Sequence, residues 1–141
     1  GEFYASREKY ISLIEELGLQ QDIVLHDHFI ADEDVRYYFS AADCLTLPYR
    51  TATQSGVTQI AYNFSLPMIV TRVVGLPEIV PDGKVGIVCE PTAEAIKESL
   101  QRIYEGDMLS RLKDGFAEER KRFSWAAMCD KLLEVYSEIQ N

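Results

Sequence analysis

The sequence predicts an α/β domain with a mainly parallel sheet, three-layered and Rossmann-like, on three observations. Short, continuous apolar runs alternate with segments of helical periodicity through most of the chain, the pattern of strands covered on both faces by crossover helices. The helical segments are bounded by capping residues, and most of the strands by Gly or Pro. The chain of 141 residues is 47% hydrophobic, enough for one core and about the size of one ordinary domain, so residues 1–141 are read as a single domain.

The elements follow in order. Residues 6–17 carry Tyr10, Leu13, Ile14 and Leu17 at helical spacing, with Gly18 as the stop. The run from Ile23 to Phe29 reads as a short strand. Asp32 is placed to cap a second helix whose apolar face is Val35, Tyr38, Phe39 and Ala42. Cys44-Leu45-Thr46-Leu47 is the next strand, ended by Pro48. A polar loop over 49–55 then leads into a helix from about Gly56. Met68-Ile69-Val70-Thr71 and Gly86-Ile87-Val88-Cys89 complete the strands. Three helices close the chain: one after Thr92, one over about 108–122, and one after Ser124 with an apolar stripe from Trp125 to Ile139. That stripe is expected to be packing.

Composition narrows the function. A net charge of −9 repels nucleic-acid phosphates, so no nucleic-acid partner is expected. No apolar run approaches the ~20 residues that cross a bilayer, and no signal peptide is visible. Cys44, Cys89 and Cys129 are read as three buried thiols. With His26 and His28 lacking an acidic or thiol partner at ligand spacing, no metal site is expected.

Ligands of open parallel sheets bind beyond the C-terminal strand ends, beside helix N-termini. Two segments qualify. Residues 49–57 follow a strand, precede a helix and are rich in small and hydroxyl side chains. Their backbone donors and the helix dipole suit a diphosphate, although an ordinary loop capped by Ser55 has the same composition. The second segment is Val73-Val74-Gly75-Leu76-Pro77-Glu78-Ile79-Val80. Glu78 either favours a helix start or binds sugar hydroxyls, and Asp82-Gly83 reads as turn chemistry. No nucleophile–base pair emerges, so catalytic residues stay unassigned.

The ordered motifs resemble the C-terminal half of group 1 glycosyltransferases, retaining enzymes of the GT-B fold. They are Ser40-Ala41-Ala42-Asp43 before Leu47-Pro48, the small-residue loop, Ser65-Leu66-Pro67-Met68-Ile69-Val70-Thr71, Val74-Gly75-Leu76-Pro77-Glu78-Ile79-Val80, Asp82-Gly83, Gly86-Ile87-Val88 and Phe123-Ser124-Trp125. The resemblance implies that Thr53, Gln54, Ser55, Gly56 and Val57 bind a donor's phosphates through backbone amides. It also implies a nucleoside-diphosphate-sugar substrate, no separate cofactor and no metal. The family's two glutamates, eight positions apart, fall on Ala52 and Ile60, so both carboxylates are absent. Gln54 or Gln59 is expected to supply replacement hydrogen bonds.

The resemblance further implies a truncation. The strand, helix and strand that open the family's donor domain are missing, and so is the N-terminal acceptor domain. The fragment is therefore expected to be inactive alone. Its sheet gap would close by repositioning the strand over 23–28, or the fragment would dimerise through exposed sheet edges. The parent enzyme is expected to be cytoplasmic or peripheral to the inner membrane face, and to act in polysaccharide or glycolipid synthesis. Two rivals stand beside this reading. One is a non-catalytic nucleotide-binding or interaction module of the same fold. The other is a receiver-like signalling domain, which would need an acidic cluster at strand ends.

Overall fold

A computed structural model describes residues 3, 6–52 and 55–139. Contacts divide the chain into two units, residues 1–38 and 39–141.

In the first unit, helix α1 (Arg7–Glu16) ends as its sequence requires. Leu17 is the C-cap, and Gly18 takes a left-handed φ of 67° while its N–H reaches the Glu15 carbonyl at 3.1 Å. Helix α2 (Asp32–Ala41) begins in this unit. The carbonyl of Ala31 accepts from Asp34 and Val35, which puts Asp32 in the first turn rather than at the cap. The expected strand over 23–29 is not formed: these residues join no described ladder, and the sheet holds three strands instead of four. The gap therefore does not close by bringing this segment into the sheet. Side-chain contacts hold it instead. Arg7 pairs with Asp27, and the His26 ring meets those of His28 and Tyr38 edge-on.

The second unit carries the sheet. Strands β1 (Leu45–Leu47), β2 (Met68–Thr71) and β3 (Gly86–Cys89) pair in parallel in the order β1-β2-β3. Every residue of β2 and β3 is buried, as continuous apolar runs require. The pleat sends alternate side chains to opposite faces. Met68, Val70 and Val88 join Leu47 and Phe116 under α3 (Gly56–Phe64) and the one-turn helix α4 (Leu76–Ile79). Ile69, Ile87 and Cys89 face α5 (Ala93–Ile103), with Ile103 and Leu112. Helix α6 (Met108–Glu119) contributes to both clusters. Helices thus cover both sheet faces, the layering the sequence implies.

Local chemistry sets the joints. Thr92 caps α5 by accepting from the Ala95 amide at 3.2 Å, an arrangement worth about 1 kcal/mol. Asp82-Gly83 is a turn, closed by Lys84 N–H on the Pro81 carbonyl at 3.1 Å, with Gly83 at φ 74°. Gly86 has another role: a Cβ there would overlap the Met68 carbonyl and the Val80 side chain.

Two expectations are corrected by the last helix, α7 (Trp125–Ile139). Ser124 caps it, but its apolar stripe is not packed: Trp125 and Ile139 are each 79% exposed, and Leu133 67%. Helical periodicity reports an amphipathic face, not what covers it. Cys129 on this helix is likewise exposed, whereas Cys89 is buried and Cys44 half-buried, with burial pushing the Cys44 thiol up. No described helix is long and apolar enough to cross a membrane.

Candidate functional site

The C-terminal ends of the parallel strands converge on a cleft of about 560 Å³ lined by Arg50, Thr51, Ala52, Arg72, Val73 and Val74. It sits where open parallel sheets take ligands. Arg50 lies three residues beyond β1 and Arg72 one beyond β2, so parallel pairing of adjacent strands brings both cations to one end. The walls are shaped from below by buried Thr71, whose hydroxyl donates to the Tyr49 carbonyl at 2.5 Å. The loop's far end is tied by the hydroxyls of Tyr49 and Ser55, 3.3 Å apart.

Thr53 and Gln54 lie outside the described residues. Ser55 is the N-cap of α3 with extended backbone, but its side chain makes no capping bond. The Thr58 amide in the first turn is met by the Ser55 backbone carbonyl at 3.2 Å, so that carbonyl rather than the cap side chain serves this end of the helix. A Cβ at Gly56 would meet nothing within 4 Å, so the helix start faces open space. Val57 is packed against the core and offers its backbone, not its side chain.

Glu78 belongs to the same end of the sheet. It lines a second, adjoining cleft of about 330 Å³ with Pro77 and Gly75, which share a rim with the first through Arg72, Val73 and Val74. The positive φ of Gly75, 88°, makes the turn from β2 into α4. Gln59 is elsewhere, in a groove of about 350 Å³ with Arg122, Phe123, Ser124, Trp125 and Met128. Ile60 is half-buried and belongs to neither described core cluster, and Ala52 lines the cleft itself.

The two helices beside the clefts are locked together. Tyr62 on α3 donates its hydroxyl to the Ile79 carbonyl at 2.6 Å. Burial, reinforced by the nearby negative charge of Glu119, pushes this phenol up to about 12. In the 3₁₀ turn Arg120–Phe123, Arg120 binds the Tyr62 carbonyl and the Ser65 hydroxyl at the end of α3. Arg122 donates to the Glu78 carbonyl at 3.0 Å. Glu119 is 4% exposed and accepts from Lys84 and Arg122 at 2.7 Å each. The Lys84 and then the Arg122 hydrogen bonds hold its carboxyl below the usual range.

Sequence reasoning had the loop, which contains Arg50, together with Glu78 and the helix start, but it gave Arg50 no role of its own and missed Arg72. The usable signal was a cation within three residues of each of two consecutive strand ends. Among the described residues no group of acidic, thiol or imidazole side chains could hold a metal ion. Asp27, needed for a receiver-like acidic cluster, is paired with Arg7 outside the sheet.

A family model described as glycosyl transferases group 1 matches residues 2–106. Among curated relatives, the D-inositol 3-phosphate glycosyltransferase of Corynebacterium efficiens is 30% identical over 136 residues, which are 95% of this chain and 32% of that protein. Its namesake in Mycolicibacterium smegmatis is 30% identical over 142 residues, covering 97% and 31%. The chain thus spans about a third of the length of these relatives. Among solved structures, sucrose-phosphate synthase from Thermosynechococcus elongatus superimposes with a TM-score of 0.77 at 23% identity, over 99% of this chain and 37% of that one. A glycosyltransferase from Rickettsia africae gives 0.73 at 22%, over 95% and 36%. At these identities the structures speak for the fold alone, and the fold agrees with the GT-B kinship expected from the motifs.

Proposed function

We propose that this chain, which belongs to the glycosyl transferases of group 1, is the donor-binding part of an enzyme that moves a sugar from a nucleoside diphosphate to an acceptor. The observation that carries this is the cleft at the strand ends, where open parallel sheets take ligands, followed in the chain by the start of α3. Breaking the glycosidic bond of such a donor leaves extra negative charge on the diphosphate. Donors already fixed around that charge lower the barrier, because they need not reorient as it develops. The Ser55–Val57 amides at the positive end of α3 supply fixed dipoles, and Thr53 and Gln54 complete the donor loop in this reading. Glu78 binds sugar hydroxyls from the adjoining cleft, and Gln59 has a supporting role from the far side of α3. No separate cofactor or metal enters the reaction. The acceptor and further catalytic groups come from a separate N-terminal domain, so the 141 residues alone bind donor without transferring it. In the cell the enzyme works in the cytoplasm, or at the inner membrane face, on polysaccharide or glycolipid.

Ala52 favours a second reading, a non-catalytic module of the same fold, since among the described residues no carboxylate lines the cleft. Calorimetric titration of the chain with UDP, GDP and ADP tests the first. One nucleotide should bind selectively, and Gly56→Trp, at a position where an added Cβ meets nothing within 4 Å, should abolish binding. Failure of all three nucleotides to bind would overturn the donor reading.

A further inference from the structure

We propose that the sugar taken by this cleft is an acidic one, a uronate whose carboxylate is held between Arg50 and Arg72; the inference rests on the donor reading above. A guanidinium offers five N–H donors and accepts nothing. Among the described lining residues two are arginines, three (Ala52, Val73 and Val74) have wholly apolar side chains, and only Thr51 has a side chain that accepts. A neutral hexose brings hydroxyls that must donate as well as accept, and among the described side chains here only the Thr51 hydroxyl takes their protons. A carboxylate only accepts, and it matches the guanidinium fork in shape as well as charge.

The charges are also disposed for it. In a chain of net charge −9, two cations meet at one cleft. Arg50 has no ion pair among the described residues. Arg72 is engaged only through Nε, 2.9 Å from Glu90 Oε1, and Glu90 does not line this cleft. That contact steadies the Arg72 side chain and leaves both terminal nitrogens for a ligand. The volume, about 560 Å³, is in the range of small-molecule sites and exceeds what a carboxylate or a diphosphate alone needs. The other oxyanion in reach, the diphosphate, is assigned above to the helix start, so the two sources separate by experiment.

The intact chain is titrated calorimetrically with UDP and GDP, then with UDP-glucose against UDP-glucuronate and GDP-mannose against GDP-mannuronate. The uronate should bind about tenfold more tightly than its neutral partner. Arg50→Gln should erase that preference while leaving the affinity for the bare diphosphate unchanged. Circular dichroism checks that this exposed substitution leaves the fold intact. Equal binding of neutral and acidic sugars would overturn the inference and leave the donor reading standing. So would an Arg50→Gln variant that weakens UDP or GDP as much as the uronate, since the arginine would then serve the diphosphate. Absence of binding by every nucleotide would overturn the donor reading, and this inference with it.

Discussion

Residues 23–25, Ile-Val-Leu, and residues 68–71, Met-Ile-Val-Thr, are close to interchangeable as compositions, and both are bounded by turns. In β2 all four residues are buried, with Met68 and Val70 wholly enclosed. In the other segment Val24 is 78% exposed and its neighbours 38% each, and no ladder forms. The difference lies in what flanks them. β2 has a parallel neighbour on either side and a helix-covered cluster on each face. The 23–25 segment has neither, and a strand's backbone groups are satisfied only by a partner. Strand propensity measures fit to a half-built surface, so the same residues give different structures where the surface differs. Helices show the same contrast more mildly. α5 buries Ser99 and Ile103 against the sheet, while α7, capped as well by Ser124, buries nothing and is still helical. A helix satisfies its own backbone, and a strand does not.

The comparison is most sharply tested by truncating the two runs. Ile69→Ala empties a site closed by Ile87, Ile103 and Leu112, and it should cost about 3–4 kcal/mol in urea-induced unfolding. A loss under ~1 kcal/mol would mean that this face of the sheet is not packed in solution. A smaller effect is expected at the edge of the same unit. Glu119→Gln keeps the shape but removes the charge that Lys84 and Arg122 hold, and should cost about 1–2 kcal/mol at neutral pH. The sign with pH follows from the lowered carboxyl. The unfolded chain takes up the proton first, so the stabilisation is complete above the ordinary value of 4.5 and is lost as pH falls through the lower folded value. Melting curves of the wild-type chain and Glu119→Gln should therefore differ at pH 7 and converge towards pH 3. A constant difference across that range would remove Glu119 ionisation from the explanation.

What could be read in advance divides along the same line. Met68–Thr71 and Gly86–Cys89 were legible to the residue, because a strand buried on both faces is apolar throughout and Pro67 and Gly86 mark its start. The helix starts after Thr92 and Ser124 were legible because a cap is local chemistry. The 23–29 segment was not, since the partner a strand requires is set by topology rather than by its own residues. Nor was the exposure of α7. At the cleft, the small-residue loop and Glu78 announced themselves by position, one after a strand and one after a glycine turn. Arg50 and Arg72 did not, because a lone arginine beyond a strand is ordinary until parallel pairing sets two of them on one wall.

The smallest effect expected is also the most telling about the unpaired segment. Val24→Ala removes two methyl groups that are mostly in water already, so it should change the unfolding free energy by less than about 0.5 kcal/mol. The same side-chain trimming within β2 should cost several times more, because there the lost methyls leave a cavity. If Val24→Ala instead cost as much as Ile69→Ala, the 23–29 run would have to be buried in solution, which would require a neighbour on its apolar side. The near-identity of the two compositions would then be matched by a near-identity of environment, and the contrast drawn from exposure would fail.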